Sequence, residues 1–361
     1  MSAQSHRFRP ATRPSTSCGG VTAPVRVSGR QSWQNPSVDI WGLTDLATPW
    51  CVHVVVTLKV AEHLAAGKNN IEELAKAVGA DPDALARVLR HLASRGLFEE
   101  TSPGRFALND DARALLEPSA RFGFNLDGFG GRMAHSWSHL LEAVRTGASG
   151  YEEIFGRPFW DDLAAHPEIA RDFDALMGPG HGTPDPAILP DGDWSSVRTV
   201  VDVGGGTGSQ LAEILRAHPG VRGTLVDLPQ TIARAGDVFE AAGVANRVSA
   251  VGQSFFDPLP AGADLYVMKS VLSDWPDADA VRLLRRCAEA AQPNGRVVIV
   301  GGVSLDATVA APSLLMLVLV GGKDRTLDEF HALARGAGLE VAATGRQKSG
   351  KTLVVCRRSH A

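Results

Sequence analysis

The stretch Val200-Val-Asp-Val-Gly-Gly-Gly-Thr-Gly-Ser-Gln-Leu211 constrains this chain more than any other. A short apolar run containing one acid, Asp202, leads into glycines at 204, 206 and 208, and a helical pattern follows. Strand, glycine turn and helix in that order let a ligand approach the backbone closely at a helix N-terminus. Asp227 lies 19 residues beyond Gly208, at the end of the next apolar run. An acid there accepts hydrogen bonds from ribose hydroxyls. These residues alone specify an adenosine-containing cofactor, with a nicotinamide dinucleotide as the rival. Two details favour a different ligand. The spacing is GxGxG rather than GxGxxG, and Asp202 inside the strand suits an amino-bearing group better than a pyrophosphate.

From residue 198 onward, apolar runs alternate with helical patterns. Strands are expected at Thr199–Val203, Gly223–Val226, Val248–Val251, Leu265–Met268, Val297–Val300 and Leu353–Cys356. Helices are expected at 208–217, 229–242, 277–291 and 326–337. This alternation predicts an α/β domain with a mostly parallel sheet covered on both faces.

The upstream half reads as helical. Leu43 to Leu64 carries apolar residues at helical spacing, and Ile71 to Val78 forms a helix closed by Gly79. Asp81-Pro82 supplies an N-cap and a first-turn proline for a helix bearing Leu85, Val88, Leu89 and Leu92. A hairpin around Ser102-Pro-Gly104 completes a winged helix-turn-helix pattern. The expected organisation is a basic tail at 1–37, a winged-helix domain at 38–110, a helical region with linker at 111–192, and the glycine-loop domain at 193–361. The tail holds five arginines and no acid, and is rich in Ser, Pro, Thr and Gly, so it is expected to be disordered.

Charge and cysteines narrow the function classes. The net charge is −4. Residues 41–110 hold seven bases against nine acids, so a DNA-reading role for the winged helix lacks a basic footprint. No nucleic-acid partner is expected. The four cysteines are scattered, without metal spacing, which fits a reducing cytoplasm and no metal site. No apolar run is long enough to span a membrane.

The motifs Val201-Asp-Val-Gly-Gly-Gly-Thr-Gly208, Leu225-Val-Asp-Leu-Pro229, Gly252-Gln-Ser-Phe-Phe-Asp257, Val267 to Trp275, Pro293-Asn-Gly295 and Met316 to Thr326 resemble one family. It is the class I S-adenosylmethionine-dependent O-methyltransferases of the acetylserotonin/caffeate type, common in bacterial natural-product pathways. The resemblance covers roughly residues 40–357. It implies a Rossmann-like methyltransferase domain behind a mostly α winged-helix dimerisation domain, and a homodimer, for which the apolar faces of 43–64 are suited. It implies that Gly204 and Gly206, with Asp202 and Gly208, form the S-adenosylmethionine loop. Asp227 would hold the ribose, Leu228, Ser254 and Phe255 would meet the adenine, and Lys269 would lie beside the cofactor. Ser254 stands where the family often has Asp, so the adenine contact is expected to be shared with Gln253.

The resemblance also exposes a gap. The family's Leu-His-Asp-Trp reads Leu272-Ser273-Asp274-Trp275 here, so the usual His base is Ser273. An orienting acid after the fifth strand is replaced by Gly301, and a second, usually Glu, is Asp324. Unassisted serine is a poor base. Three readings follow: an acceptor that reacts through alignment alone, a substitute base among His135, His139, His181 or Asp274, or a scaffold turned to other chemistry such as hydroxylation or decarboxylation. Trp137, Phe159, Phe173, Met177 and Met316 fall where the family lines its acceptor pocket. Such walls suit a flat aromatic acceptor, and the side chains lost at 273 and 301 suit a large or carrier-tethered polyketide.

Overall fold

A computed structural model of the chain describes residues 39–40, 42–177, 185–305 and 313–359. The expected tail at 1–37, His181 and the middle of the expected linker lie outside the described residues. The chain divides into residues 1–45, whose described part contains a 3-10 turn at Gly42–Thr44, and residues 46–361.

In the second unit the chain first forms helices Ala47–Thr57 and Val60–Ala65, separated at Lys59, whose φ is 55°. Helix Ile71–Val78 starts on Asn70, whose side chain accepts from the Glu72 N–H, and stops at Gly79 in the left-handed region. Helix Pro82–Ser94 starts on Asp81, whose carboxylate accepts from the Ala84 N–H at 2.8 Å. Its apolar face buries Leu85, Leu89 and Leu92 against Leu74, Phe98 and Phe106. The antiparallel hairpin Glu99–Ser102 and Arg105–Ala107 forms the wing. The two helices from 71 and 82, the stop at Gly79, the Asp81 cap and the hairpin were expected from capping residues and spacing; the Asn70 cap and the break at Lys59 were not.

The sheet strands are β1 (Thr199–Val203), β2 (Arg222–Asp227), β3 (Val248–Gly252), β4 (Leu265–Lys269), β5 (Arg296–Val300), β6 (Leu339–Arg346) and β7 (Thr352–Arg358). Their spatial order is β6-β7-β5-β4-β1-β2-β3. The five strands β3, β2, β1, β4 and β5 are parallel, and β7 joins β5 antiparallel, pairing Leu353 with Val300. Inner strands are buried on both faces. Val201 and Val203 face helices Asp277–Ala290 and Leu327–Gly336, while Val200 faces helix Ser209–Ala217. Burial on both sides explains their nearly unbroken apolar runs.

Two features differ from expectation. The edge strand β6 was not expected, because its residues 342–344 are exposed and its alternation is weak. The helix expected at 229–242 is two short helices, Pro229–Ile232 and Gly236–Ala241. Arg234 sits in the break and donates to Asp174 on helix Pro167–Met177.

The strand order reverses between β1 and β4. Ligands in open α/β sheets bind outside the carboxyl ends of the strands at such a point. Here that edge carries Gly204 after β1 and Lys269 at the end of β4.

Candidate cofactor and acceptor site

The glycines do three different jobs. Gly204, at φ +68°, packs so closely that a Cβ there would lie 2.9 Å from Val271 and 3.3 Å from the Phe255 ring. Gly208 caps helix Ser209–Ala217 at φ +85°, and a Cβ on it would enter the Phe239 ring at 2.3 Å. Gly206 has φ +62° and open space where its Cβ would be. It is therefore the loop's free face toward a ligand.

Asp227 fixes that face. One carboxylate oxygen accepts from the Gly206 N–H at 2.8 Å, and the other from the Leu228 N–H at 2.7 Å. Burial raises its pKa against the pull of these bonds. Asp202 is 1% exposed, and neither of its carboxylate oxygens has a hydrogen-bond partner. Burial pushes it up to about 7; Lys269 pulls it down and Asp227 adds to the rise. Burial lowers Lys269, as does Lys351, while Asp202 acts against them. Two acids at the root of the loop, one unsatisfied, repel a pyrophosphate. They fit a ligand with an ammonium group and ribose hydroxyls, as S-adenosylmethionine has.

Ser254 lies in the turn after β3, where its hydroxyl accepts from the Phe256 N–H. The Gln253 amide donates to the Pro258 carbonyl at 2.9 Å. The Phe255 ring lies edge-on to Phe256 and Trp275, with centroids 5.1 and 5.7 Å away.

The Leu272–Asp274 3-10 turn follows β4 and carries Ser273. The Ser273 side chain makes no hydrogen bond among the described residues. Gly301 and Gly302 lie opposite, and a Cβ on Gly302 would be 3.2 Å from that of Ser273. Asp324 accepts from the Ser313 hydroxyl at 2.6 Å. The residue that holds this region is Arg325, which is fully buried. It donates to the carbonyls of Leu272, Lys323 and Trp275 and to the Asp277 carboxylate. Sequence reasoning gave it no role, because an arginine in a Gly-Gly-Lys-Asp-Arg run resembles a surface charge.

Phe159, Phe173 and Met316 come together in one aromatic cluster with Phe129, Tyr151 and Trp160. Their ring pairs are mostly edge-on, 4.8 to 6.1 Å apart. Trp160 also stacks toward Trp275 at 6.4 Å, linking the cluster to the cofactor side. Both indole N–H groups are buried without a partner. Neither tryptophan was singled out from sequence as an acceptor contact. Below the cluster, Asp162 accepts from Arg132 and from Tyr151, each at 2.8 Å. Burial raises Asp162, but these bonds outweigh it and hold the carboxyl below its usual value.

Two expected residues lie elsewhere. Trp137 is 42% exposed on a 3-10 turn outside the cluster. His135 packs on the Trp50 ring at 5.3 Å. The Met177 side chain lies outside the described set. A polar depression of about 320 Å³, lined by Lys59, Arg121 and Asp172 among others, contains neither the glycine loop nor Ser273. Among the described residues no helix is long and apolar enough to cross a membrane, and no group of ligating side chains is placed to hold a metal ion.

Residues 137–340 match the O-methyltransferase domain family, and residues 41–118 match the O-methyltransferase dimerisation domain. The chain is 40% identical to the 2,7-dihydroxy-5-methyl-1-naphthoate 7-O-methyltransferase of Streptomyces carzinostaticus, over 85% of this chain and 93% of that protein. It is 36% identical to the aclacinomycin 10-hydroxylase RdmB of Streptomyces purpurascens, over 88% of each. Among solved structures it resembles NcsB1, an O-methyltransferase from neocarzinostatin biosynthesis crystallised with S-adenosylmethionine and 2-hydroxy-5-methyl naphthoic acid. The TM-score is 0.80 at 39% identity, covering 88% of this chain and 98% of that one. The chain belongs to the S-adenosylmethionine-dependent O-methyltransferases, and S-adenosylmethionine is its cofactor.

Proposed function

We propose that this enzyme methylates a phenolic hydroxyl on an aromatic, polyketide-type natural-product intermediate. One observation carries the reading. Helix Leu314–Val320 packs on the Ser273 turn and on helix Phe129–Ser136, so the aromatic cluster and the cofactor edge share one wall. A flat acceptor held by Phe159, Phe173 and Met316 would therefore present its hydroxyl at the carboxyl edge of β4. A relative whose name specifies a naphthoate substrate and another named for mitomycin biosynthesis support an acceptor of that kind.

In this reading Gly204 and Gly206 hold the methionine and ribose portions and Asp227 takes the ribose hydroxyls. Leu228, Ser254 and Phe255 enclose the adenine, and Lys269 closes the edge beside Asp202. When bound, S-adenosylmethionine supplies an electrophilic methyl group on a sulfonium. The protein's task is to exclude water, align the acceptor oxygen and receive its proton. The dimerisation domain supports a homodimer, with exposed Leu46 at the start of its first helix and Trp50 on it available to a second copy.

Labelled S-adenosylmethionine incubated with free and carrier-bound phenols and naphthoates tests the proposal. Label in a bicyclic or larger aromatic product is the expected result. Cofactor binding by calorimetry without transfer to any acceptor would favour altered chemistry, for which the hydroxylase relative is a precedent. Turnover of a small free catechol alone would overturn the large-acceptor reading.

A further inference from the structure

We propose that Asp274, set beside Asp324, is the group that takes the acceptor's proton, filling the role that Ser273 cannot. The inference rests on the methyltransferase reading above and names the base for it.

Placement comes first. Asp274 is the last residue of the 3-10 turn after β4, on the same edge as the glycine loop. Arg325 holds the turn from both sides through the carbonyls of Leu272 and Trp275. The loop carrying Asp324 lies directly on this turn. A Cβ on Gly322 would be 2.1 Å from the Ser273 carbonyl oxygen and 2.6 Å from the Asp274 carbonyl carbon. Only glycine allows that backbone approach, and Asp324 follows two residues later on the same loop.

The surroundings come second. Asp274 is half-buried, and its carboxyl has no hydrogen-bond or ion-pair partner among the described residues. The other enclosed acids differ. Asp162 is bonded to Arg132 and Tyr151, and Asp264 accepts from the N–H groups of Arg198 and Thr199. The cations near Asp274 are already engaged. Lys323 pairs with Asp277 and Glu329, and Arg325 is occupied by Asp277 and three carbonyls. Helix Leu314–Val320 offers only apolar side chains, and Gly301 and Gly302 offer none. Among the described residues the charge left near Asp274 is Asp324, which accepts from the Ser313 hydroxyl. Burial first, and Asp324 second, push Asp274 up to about 8. Carboxyl groups of this affinity are better matched to a phenol than ordinary ones.

The step balances without another reagent. The acceptor oxygen forms the O–CH3 bond as the S–CH3 bond breaks, and sulfur keeps the electron pair. The hydroxyl proton passes to the Asp274 carboxylate and then to solvent.

The experiment is the pH dependence of kcat/KM for label transfer in wild type, Asp274→Asn and Asp324→Asn, with S-adenosylhomocysteine binding measured for each. For wild type, kcat/KM should rise with pH to a plateau above about 8. Asp274→Asn should lose that limb and fall by about 100-fold or more, with ligand affinity within about twofold of wild type. Asp324→Asn removes the neighbouring charge, so its limb should move to lower pH. A limb that does not move in Asp324→Asn belongs to the acceptor or elsewhere and overturns the proposal. Wild-type rate in Asp274→Asn overturns it as well. If Asp274→Asn no longer binds the ligand, the position of the Asp324→Asn limb decides alone. Wild-type protein that binds cofactor and transfers nothing is the separate failure of the methyltransferase reading.

Discussion

The Arg325 guanidinium donates to the Trp275 carbonyl at 2.7 Å, and its other terminal nitrogen donates to the Leu272 carbonyl at 3.0 Å. One buried side chain thus spans the turn that presents Ser273 and Asp274. Its ion pair with Asp277 is partly screened, since that carboxylate is 55% exposed. The carbonyls are the stronger reason for a charged residue at this place.

Replacing Arg325 with Met is expected to strand these carbonyls at about 1–3 kcal/mol each. Arg325→Lys keeps the charge but cannot reach both sides of the turn. Urea unfolding should show both variants less stable, Met more so, and kcat should fall in both. A Lys variant with wild-type stability and kcat would show that charge alone suffices.

Asp202 gives the apo-protein an unusual pH dependence. Its folded pKa of about 7 lies above the ordinary 3.8. Between these values the folded chain keeps a proton that the unfolded chain has released. The contribution of Asp202 to stability is therefore largest at low pH and is lost as pH rises toward 7. Asp202→Asn removes the penalty. Its stability relative to wild type should grow between pH 4 and 7 by up to about 1.4 kcal/mol per pH unit, and its affinity for S-adenosylmethionine should fall. Denaturant unfolding at four pH values checks this. A constant difference between the two proteins would mean that Asp202 is already ionised when folded.

Asp227 shapes the loop through the Gly206 and Leu228 N–H groups, and the proposed function also has it face the ribose. Asp227→Asn retains an acceptor for the Gly206 N–H but loses the charge offered to ribose hydroxyls. Charge-assisted hydrogen bonds are worth about 1.5–3 kcal/mol, so calorimetry should show affinity for S-adenosylmethionine reduced about 10- to 100-fold. Melting of the apo-protein should fall as well, because the Leu228 N–H loses its acceptor. Unchanged affinity would remove Asp227 from the ribose site.

Much of this architecture was legible because doubly buried strands and capped helices leave strong patterns. Leu265 to Met268 and Val297 to Val300 are continuous apolar runs, Val200 to Val203 is one broken only by Asp202, and Gly79 and Asp81 mark helix ends where they were expected. β6 left a weak trace because an edge strand needs little apolar surface. The glycine loop and Asp227 are contiguous or regularly spaced, so their meeting could be read from sequence. Arg325 and Trp160 could not, and Asp274 and Asp324 were reached only through the family resemblance. Their roles depend on segments separated by 50 residues or more, and nothing local distinguishes a buried arginine from a solvated one. Trp137 shows the converse, since the family resemblance placed it on the acceptor wall while the 3-10 turn leaves it exposed.

The glycine loop supplies a paired test in which fold and function should separate. Alanine at 206 or 208 must adopt positive φ, at about 1–2 kcal/mol each. At 208 the new methyl also meets Phe239 at 2.3 Å, under a buried helix start, so overpacking adds about 1–3 kcal/mol. At 206 the methyl points into open space, where the ligand is expected. Gly208→Ala should therefore lower the melting temperature more than Gly206→Ala. Gly206→Ala should remain folded yet lose most S-adenosylmethionine binding. Thermal melts with calorimetry on both variants distinguish the two roles. A Gly206→Ala protein that binds the cofactor as wild type does would mean the ligand does not approach that face, because a methyl group there has nothing else to obstruct.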